Sequence, residues 1–253
     1  MISARNLSYS YGCLPALCGI DLTADAGQLI GLIGPNGSGK STLLNCLAGL
    51  KDGFSGNVYL KDREISSYRS GELARLVAVV FQDNHFSFDF SSYEVVAMGR
   101  SPFLRPLQDE GPDDRRIIEE AMRRCDCLEL GPRPVTELSG GERQRIVLAR
   151  VLAQQPEILL MDEPTNHLDL RHQRLVLEVA GSLAREGKLV LAVLHDLNLA
   201  SNYCHRLILL NQGQLVADGR PEEVLTGPRI SQVYQTNAPV VRHPDTGRPQ
   251  ILA

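Results

Sequence analysis

The chain has 253 residues, 43% of them hydrophobic and 22% charged. That balance fits a globular protein with apolar material for one large domain or two small ones. A net charge of −4, with Lys and Arg scattered along the chain, gives no electrostatic case for nucleic acid as a partner. Six cysteines (Cys13, Cys18, Cys46, Cys125, Cys127 and Cys204) contain no CxxC pair, so reduced thiols are expected rather than a disulfide framework or a zinc knuckle.

The N-terminal MISARNLSYSYG lacks the apolar run of a signal peptide. Alternation in ISARNLSYSY, and again in NVYL at 57–60, predicts antiparallel strands on one side of the molecule. LIGLI (29–33), VAVVF (77–81), ILLM (158–161), LVLAVL (189–194) and LILL (207–210) are unbroken apolar runs, the pattern of strands buried on both faces in a parallel sheet. LVLAVL is far shorter than the roughly 20 residues of a membrane helix. Helical patterns alternate with these strands at KSTLLNCLAGL (40–50) and RHQRLVLEVAGSLAREG (171–187), so the core is expected to be α/β.

Residues 84–150 break this rhythm. Ser91-x-x-Glu94 is a capping-box pattern. DDRRIIEEAMRRCDCLEL sets Ile118, Met122 and Cys125 on one helical face, with Ile117, Ala121 and Leu128 beside them. Pro and Gly at 102–112 and 131–134 bracket these helices. The expected division is a core of 1–83 and 151–253 with a helical insertion at 84–150. After 211 the chain reads as turn-rich.

Gly34-Pro35-Asn36-Gly37-Ser38-Gly39-Lys40-Ser41 fits G-x-x-x-x-G-K-[ST] between a strand and a helix, the context in which that pattern cradles phosphates. Backbone N–H groups and a helix N-terminus would face the anion. Lys40 would reach the β- and γ-phosphates, and Ser41 would ligate Mg²⁺. ILLMDE supplies the matching carboxylates. Asp162 would hold the metal shell, and Glu163 would polarise a water in line with the γ-phosphate. Gln82 and His195 each follow an apolar run. In an open α/β sheet ligands sit at the carboxyl ends of strands, so both would face the nucleotide. Gln82 would touch Mg²⁺ or the attacking water; His195 would donate to a γ-phosphate oxygen.

LSGGERQR at 138–145 is a second glycine-rich helix start. Ser139-x-x-Glu142 is a capping box by itself. The box does not explain Gly140 and Gly141, which weaken a helix start and leave bare N–H groups suited to an anion. The chain's own phosphates already have residues 34–42, so 138–142 is expected to serve the nucleotide of a second copy.

Taken together, GPNGSGKST, Gln82, LSGGE, ILLMDEPT and His195 resemble, in order and spacing, the motifs of ATP-binding cassette proteins over nearly the whole chain. The resemblance implies a P-loop NTPase core with a mainly parallel sheet, an N-terminal antiparallel β part and an inserted helical subdomain. It implies ATP and Mg²⁺ as ligands and a head-to-tail dimer with ATP sandwiched between copies. Tyr11 is similar to the aromatic that stacks on adenine, and Thr42 closes the phosphate loop. Ser139 and Gly141, with Gly140 and Glu142 in the same signature, match the contacts to the partner's γ-phosphate. Asn166-His167-Leu168-Asp169 matches the loop that signals across the dimer, and Gln82 the residue that couples to the membrane partner.

HDLNLA (195–200), VAMGRSPFL (96–104) and PDTGRPQIL (244–252) resemble cassettes of importers for metal chelates: ferric siderophores, haem and cobalamin. A polytopic permease, a periplasmic or lipid-anchored binding protein and the cytoplasmic face of a bacterial inner membrane are implied. That branch often shows GR-x-P-H, where this chain has Phe103. A soluble non-transport cassette and an exporter cassette stay open as alternatives.

Overall fold

The computed structural model describes residues 1–81, 86, 88–105 and 108–252. The chain opens with β1 (Ile2–Tyr11) and β2 (Leu14–Ala24), then runs through β3 (Leu29–Ile33), α1 (Lys40–Leu47), β4 (Ser55–Leu60) and β5 (Arg63–Glu64). Next come α2 (Ser70–Leu76), β6 (Val77–Val80), α3 (Ser92–Ala97), α4 (Pro112–Arg124), α5 (Gly140–Ala153), β7 (Ile158–Met161) and α6 (Leu170–Arg185). It ends with β8 (Leu189–Val193), α7 (Leu197–Tyr203), β9 (Arg206–Asn211), β10 (Gln214–Gly219), α8 (Pro221–Val224), α9 (Gly227–Tyr234), β11 (Val240–Arg242) and β12 (Pro249–Ile251).

One sheet has the order β10-β9-β3-β8-β7-β6. Of its five pairings four are parallel, and the edge pair β9 with β10 is antiparallel. A second, antiparallel sheet has the order β2-β1-β4-β5. The large sheet is a middle layer. Ile30, Leu32, Leu160, Leu191 and Ile208 point into one apolar cluster with α1 and the antiparallel sheet. Their neighbours Leu29, Ile33, Leu159, Val190 and Leu207 point into the other, with α3 to α7. Both faces are dry, which is why these strands read as unbroken apolar runs.

The helices between β6 and β7 share that second cluster: Val95 and Val96 of α3, Ile118 and Met122 of α4, and Ile146 of α5 are fully buried with the sheet residues. The Ser91 box forms as expected, with Ser91 N–H donating to Glu94 at 2.7 Å and Glu94 N–H donating to Ser91 Oγ at 3.2 Å. Leu128 differs from expectation. The helix ends at Arg124, so Leu128 falls in a separate 3₁₀ turn and stays exposed. The region after 211 is also more ordered than its turns suggest, with β10 paired to β9, the pair β11–β12 and two short helices.

Candidate active site

Parallel register brings the chemistry to one edge. Leu32 of β3 pairs with Val193 of β8, Ala192 of β8 with Met161 of β7, and Met161 with Val80 of β6. The loop 34–39, Asp162, and His195 just past Leu194 therefore follow the carboxyl ends of neighbouring strands. Two glycines of the loop are required by geometry. A Cβ on Gly34 (φ 146°) would lie 2.1 Å from the Leu210 carbonyl oxygen, and one on Gly39 (φ 101°) 2.5 Å from that of Ala16. Gly39 also caps α1 in the left-handed region. Asn36 and Gly37 form the exposed rim.

Lys40 is buried, and its ammonium donates to the carbonyls of Gly34 at 2.8 Å and Pro35 at 2.9 Å. Burial holds its pKa below the ordinary lysine value, against the opposing pull of Glu163 and Asp162. Ser38 Oγ is buried and has no hydrogen-bond partner among the described residues. From α9, the Tyr234 phenol bonds the Gly34 backbone, and burial pushes its pKa up to about 12, so it stays protonated.

Ser41 Oγ donates to Asp162 Oδ1 at 2.9 Å. Burial lifts the Asp162 carboxyl above the usual range, and the Ser41 hydrogen bond opposes the lift. Two hard oxygen donors, one a desolvated carboxylate, fit a divalent cation such as Mg²⁺. A cation there would favour the charged form of Asp162, as an anion beside Lys40 would favour its ammonium. Glu163 takes φ 51°, the left-handed region where a non-glycine residue costs about 1 kcal/mol. Its carboxylate is tied at both oxygens: Oε1 to His195 Nε2, Oε2 to the Asn166 side-chain amide.

A cavity of about 350 Å³ opens beside the loop, lined by Tyr11, Leu14, Pro15, Ala16, the stretch 36–42 and Glu163. That is within the size range of small-ligand sites. Tyr11 Oη lies 3.4 Å from Thr42 Oγ1, and the Lys51 ammonium sits 5.0 Å from its ring centroid.

Ser139–Glu142 do not line this cavity. Ser139 and Gly140 lie exposed, and Ser139 caps α5. Its hydroxyl donates to Glu142 Oε2 at 2.8 Å and accepts from Glu142 N–H at 3.3 Å. The Ser139 N–H and hydroxyl, with Arg133 beside them, hold the Glu142 carboxyl below the usual range. Gly140 has open space around it, whereas a Cβ on Gly141 would lie 2.8 Å from His172 Nδ1. Asp169 caps α6 and accepts from His172 N–H at 2.9 Å and from its ring at 2.8 Å. Gln82 lies outside the described residues.

The ABC transporter family profile matches residues 17–166. The hemin import ATP-binding protein HmuV of Rhodococcus jostii is 43% identical over 251 residues, covering 99% of this chain and 85% of its own length. The chain belongs to the ABC transporter family, as one of its ATPases.

The cassette also superimposes on the subunit of an inward-facing transporter described as metal-chelate type, with TM-score 0.85, 25% identity and coverage of 100% of this chain and 97% of the other. A dimeric bacterial ABC transporter cassette gives TM-score 0.78, 28% identity and coverage of 87% and 98%. Sequence reading placed the cassette's phosphate loop, Asp162, Glu163 and His195 at one edge, and the structure brings them together there. It did not single out Leu14, Pro15, Ala16 or Lys51 beside Tyr11, nor His172 against Gly141. Leu14 to Ala16 begin a strand whose first residues are exposed, so no buried alternation marks them.

Proposed function

We propose that the cassette hydrolyses ATP to drive a metal-chelate importer, with haem as the cargo. The carrying observation is the Glu163 carboxylate held between His195 and Asn166 at the mouth of the Lys40 loop. The names of its relative and of the metal-chelate transporter support this cargo class and direction.

ATP enters the cavity with its base against Tyr11 and its phosphates on the backbone of 34–42. Lys40 exchanges the carbonyls of Gly34 and Pro35 for the β- and γ-phosphates. Ser41 and Asp162, with Gln82, would hold a Mg²⁺ ion, which would neutralise phosphoryl charge when bound. Without nucleotide, the Nε2–H of His195 donates to Glu163. A γ-phosphate oxygen offers that donor a second acceptor, which frees Glu163 Oε1 to take a proton from the attacking water while Asn166 holds the other oxygen.

The cassette works as a head-to-tail dimer, as the solved dimeric relative supports. Ser139, Gly140, Gly141 and Glu142 then meet the partner's γ-phosphate, and 166–169 relays the state of one site to the other. Exposure of Ser139 and its absence from the cavity in its own chain support this arrangement.

No helix among the described residues is long and apolar enough to cross a membrane. The permease docks in the groove lined by Leu50, Leu73, Val79 and Phe81, which precedes Gln82 in sequence. Phe88, Phe90, Met98 and Phe103 are exposed as well. In this reading the cassette works at the cytoplasmic face of the inner membrane, with a binding protein delivering cargo from the far side.

The test is transport by vesicles rebuilt with the cassette and its permease, and with Glu163→Gln in place of wild type. ATP-dependent haem uptake by the wild type and none by Glu163→Gln, which still binds ATP, is the expected result. Uptake of a ferric siderophore or cobalamin but not haem would move the cargo. Normal turnover by Glu163→Gln would remove the general base.

A further inference from the structure

His195 is followed at once by α7, a helix of only seven residues. A helix that short is not stable without outside support. Asp196 caps its start, accepting from Asn198 N–H at 2.7 Å and Leu199 N–H at 3.0 Å. Asn198, Ser201 and Asn202 are each held by the hairpin β11–β12. Asn198 grips Ile251 at two points, its amide donating to the Ile251 carbonyl at 3.1 Å and its Oδ1 accepting from the Ile251 N–H at 2.8 Å. Ser201 is fully buried, and its hydroxyl donates to the Pro249 carbonyl at 2.7 Å. Arg248 donates to the carbonyls of Ser201 and Cys204, where a helix C-terminus leaves acceptors unpaired and favours a cation.

We propose that the C-terminal hairpin is a positioning element for His195, with Asn198 and Arg248 as the residues that fix it. The contact is made of directional hydrogen bonds at both ends and along one face of α7. Such bonds set the rotation of a helix, where apolar packing alone mainly covers it. Asn198, Ser201 and Asn202 are three and four residues apart, so they share that face; Gln250 donates to Asn202 Oδ1 at 2.9 Å. A rotation or slide of α7 reaches the Nε2 that pairs with Glu163 through one intervening residue, Asp196. The two segments HDLNLA and PDTGRPQIL, fifty residues apart, are thus the two halves of one joint.

This inference rests on the role proposed for His195 in hydrolysis. The test uses full-length protein with ¹³C-labelled histidine, in Asn198→Ala and Arg248→Ala, with His195→Ala assigning the His195 resonance among the six histidines. In each variant the His195 imidazole signal is expected to shift or broaden while most other histidine signals stay in place. ATP affinity should stay within about twofold, and kcat should fall about three- to tenfold. Arg248→Ala decides the matter if Asn198→Ala does not fold. An unmoved His195 signal in a folded variant overturns the proposal. A moved signal with unchanged kcat also overturns it. If His195→Ala itself keeps full turnover, the role of His195 fails first and this inference falls with it.

Discussion

Gly141→Ala tests the packing between the signature helix and the first turn of α6. The new methyl would sit 2.8, 2.9 and 3.0 Å from Nδ1, Cε1 and Cγ of His172, where ordinary contact is about 3.5–4 Å. The ring is not free to yield, because Nδ1 bonds Asp169 and the same residue's N–H bonds the Asp169 cap. Overpacking of this kind costs about 1–3 kcal/mol; the ring is partly exposed, so the lower end applies. Against it stands the gain of about 0.5–1 kcal/mol for replacing glycine by alanine within a helix. The net expectation is a loss of about 0–1.5 kcal/mol, read as a fall of a few degrees at most in Tm for a chain of this size. In a His172→Ala background the clash is gone and only the gain remains, so Gly141→Ala should stabilise. The coupling between the two positions is therefore about 1–2 kcal/mol, measured by thermal and urea unfolding of the four proteins in a double-mutant cycle. Coupling under about 0.5 kcal/mol would refute the claim that His172 is why position 141 is glycine.

Two further outcomes are expected. Mixed dimers of one Lys40→Ala copy and one Ser139→Arg copy should regain up to about half of wild-type ATPase activity, since one composite site keeps an intact loop and an intact signature; purified heterodimers that stay as inactive as both homodimers would contradict independent sites formed in trans. In a thiol titration at pH 8, only the exposed Cys13 and Cys18 should react with the native protein. Burial raises the Cys46 thiol to about 11 and those of Cys127 and Cys204 to about 12, with Cys125 also well above its ordinary value, so these stay protonated and unreactive. Fast reaction of a third thiol would contradict the burial.

The sequence by itself determined the pieces whose signal is contiguous. Five strands were legible because burial on both faces leaves no polar residue inside them. The phosphate loop was legible because one backbone path needs Gly34 and Gly39 at fixed spacing, and Asp162 and Glu163 because they end a dry strand. The tertiary structure decided what depends on distant partners. β2 escaped notice although Ile20, Leu22 and Ala24 alternate, because it is an edge strand with its other face exposed and Pro15 and Gly19 within it. The two signature glycines looked alike in sequence, both read as bare N–H donors. In the fold only Gly140 is open, while Gly141 is small to admit a ring from thirty-one residues downstream. Likewise nothing local to HDLNLA says that Asn198 has the shape of a backbone partner for Ile251. A hydrogen bond needs two atoms within about 3 Å, and only folding brings chain segments fifty-three residues apart to that distance.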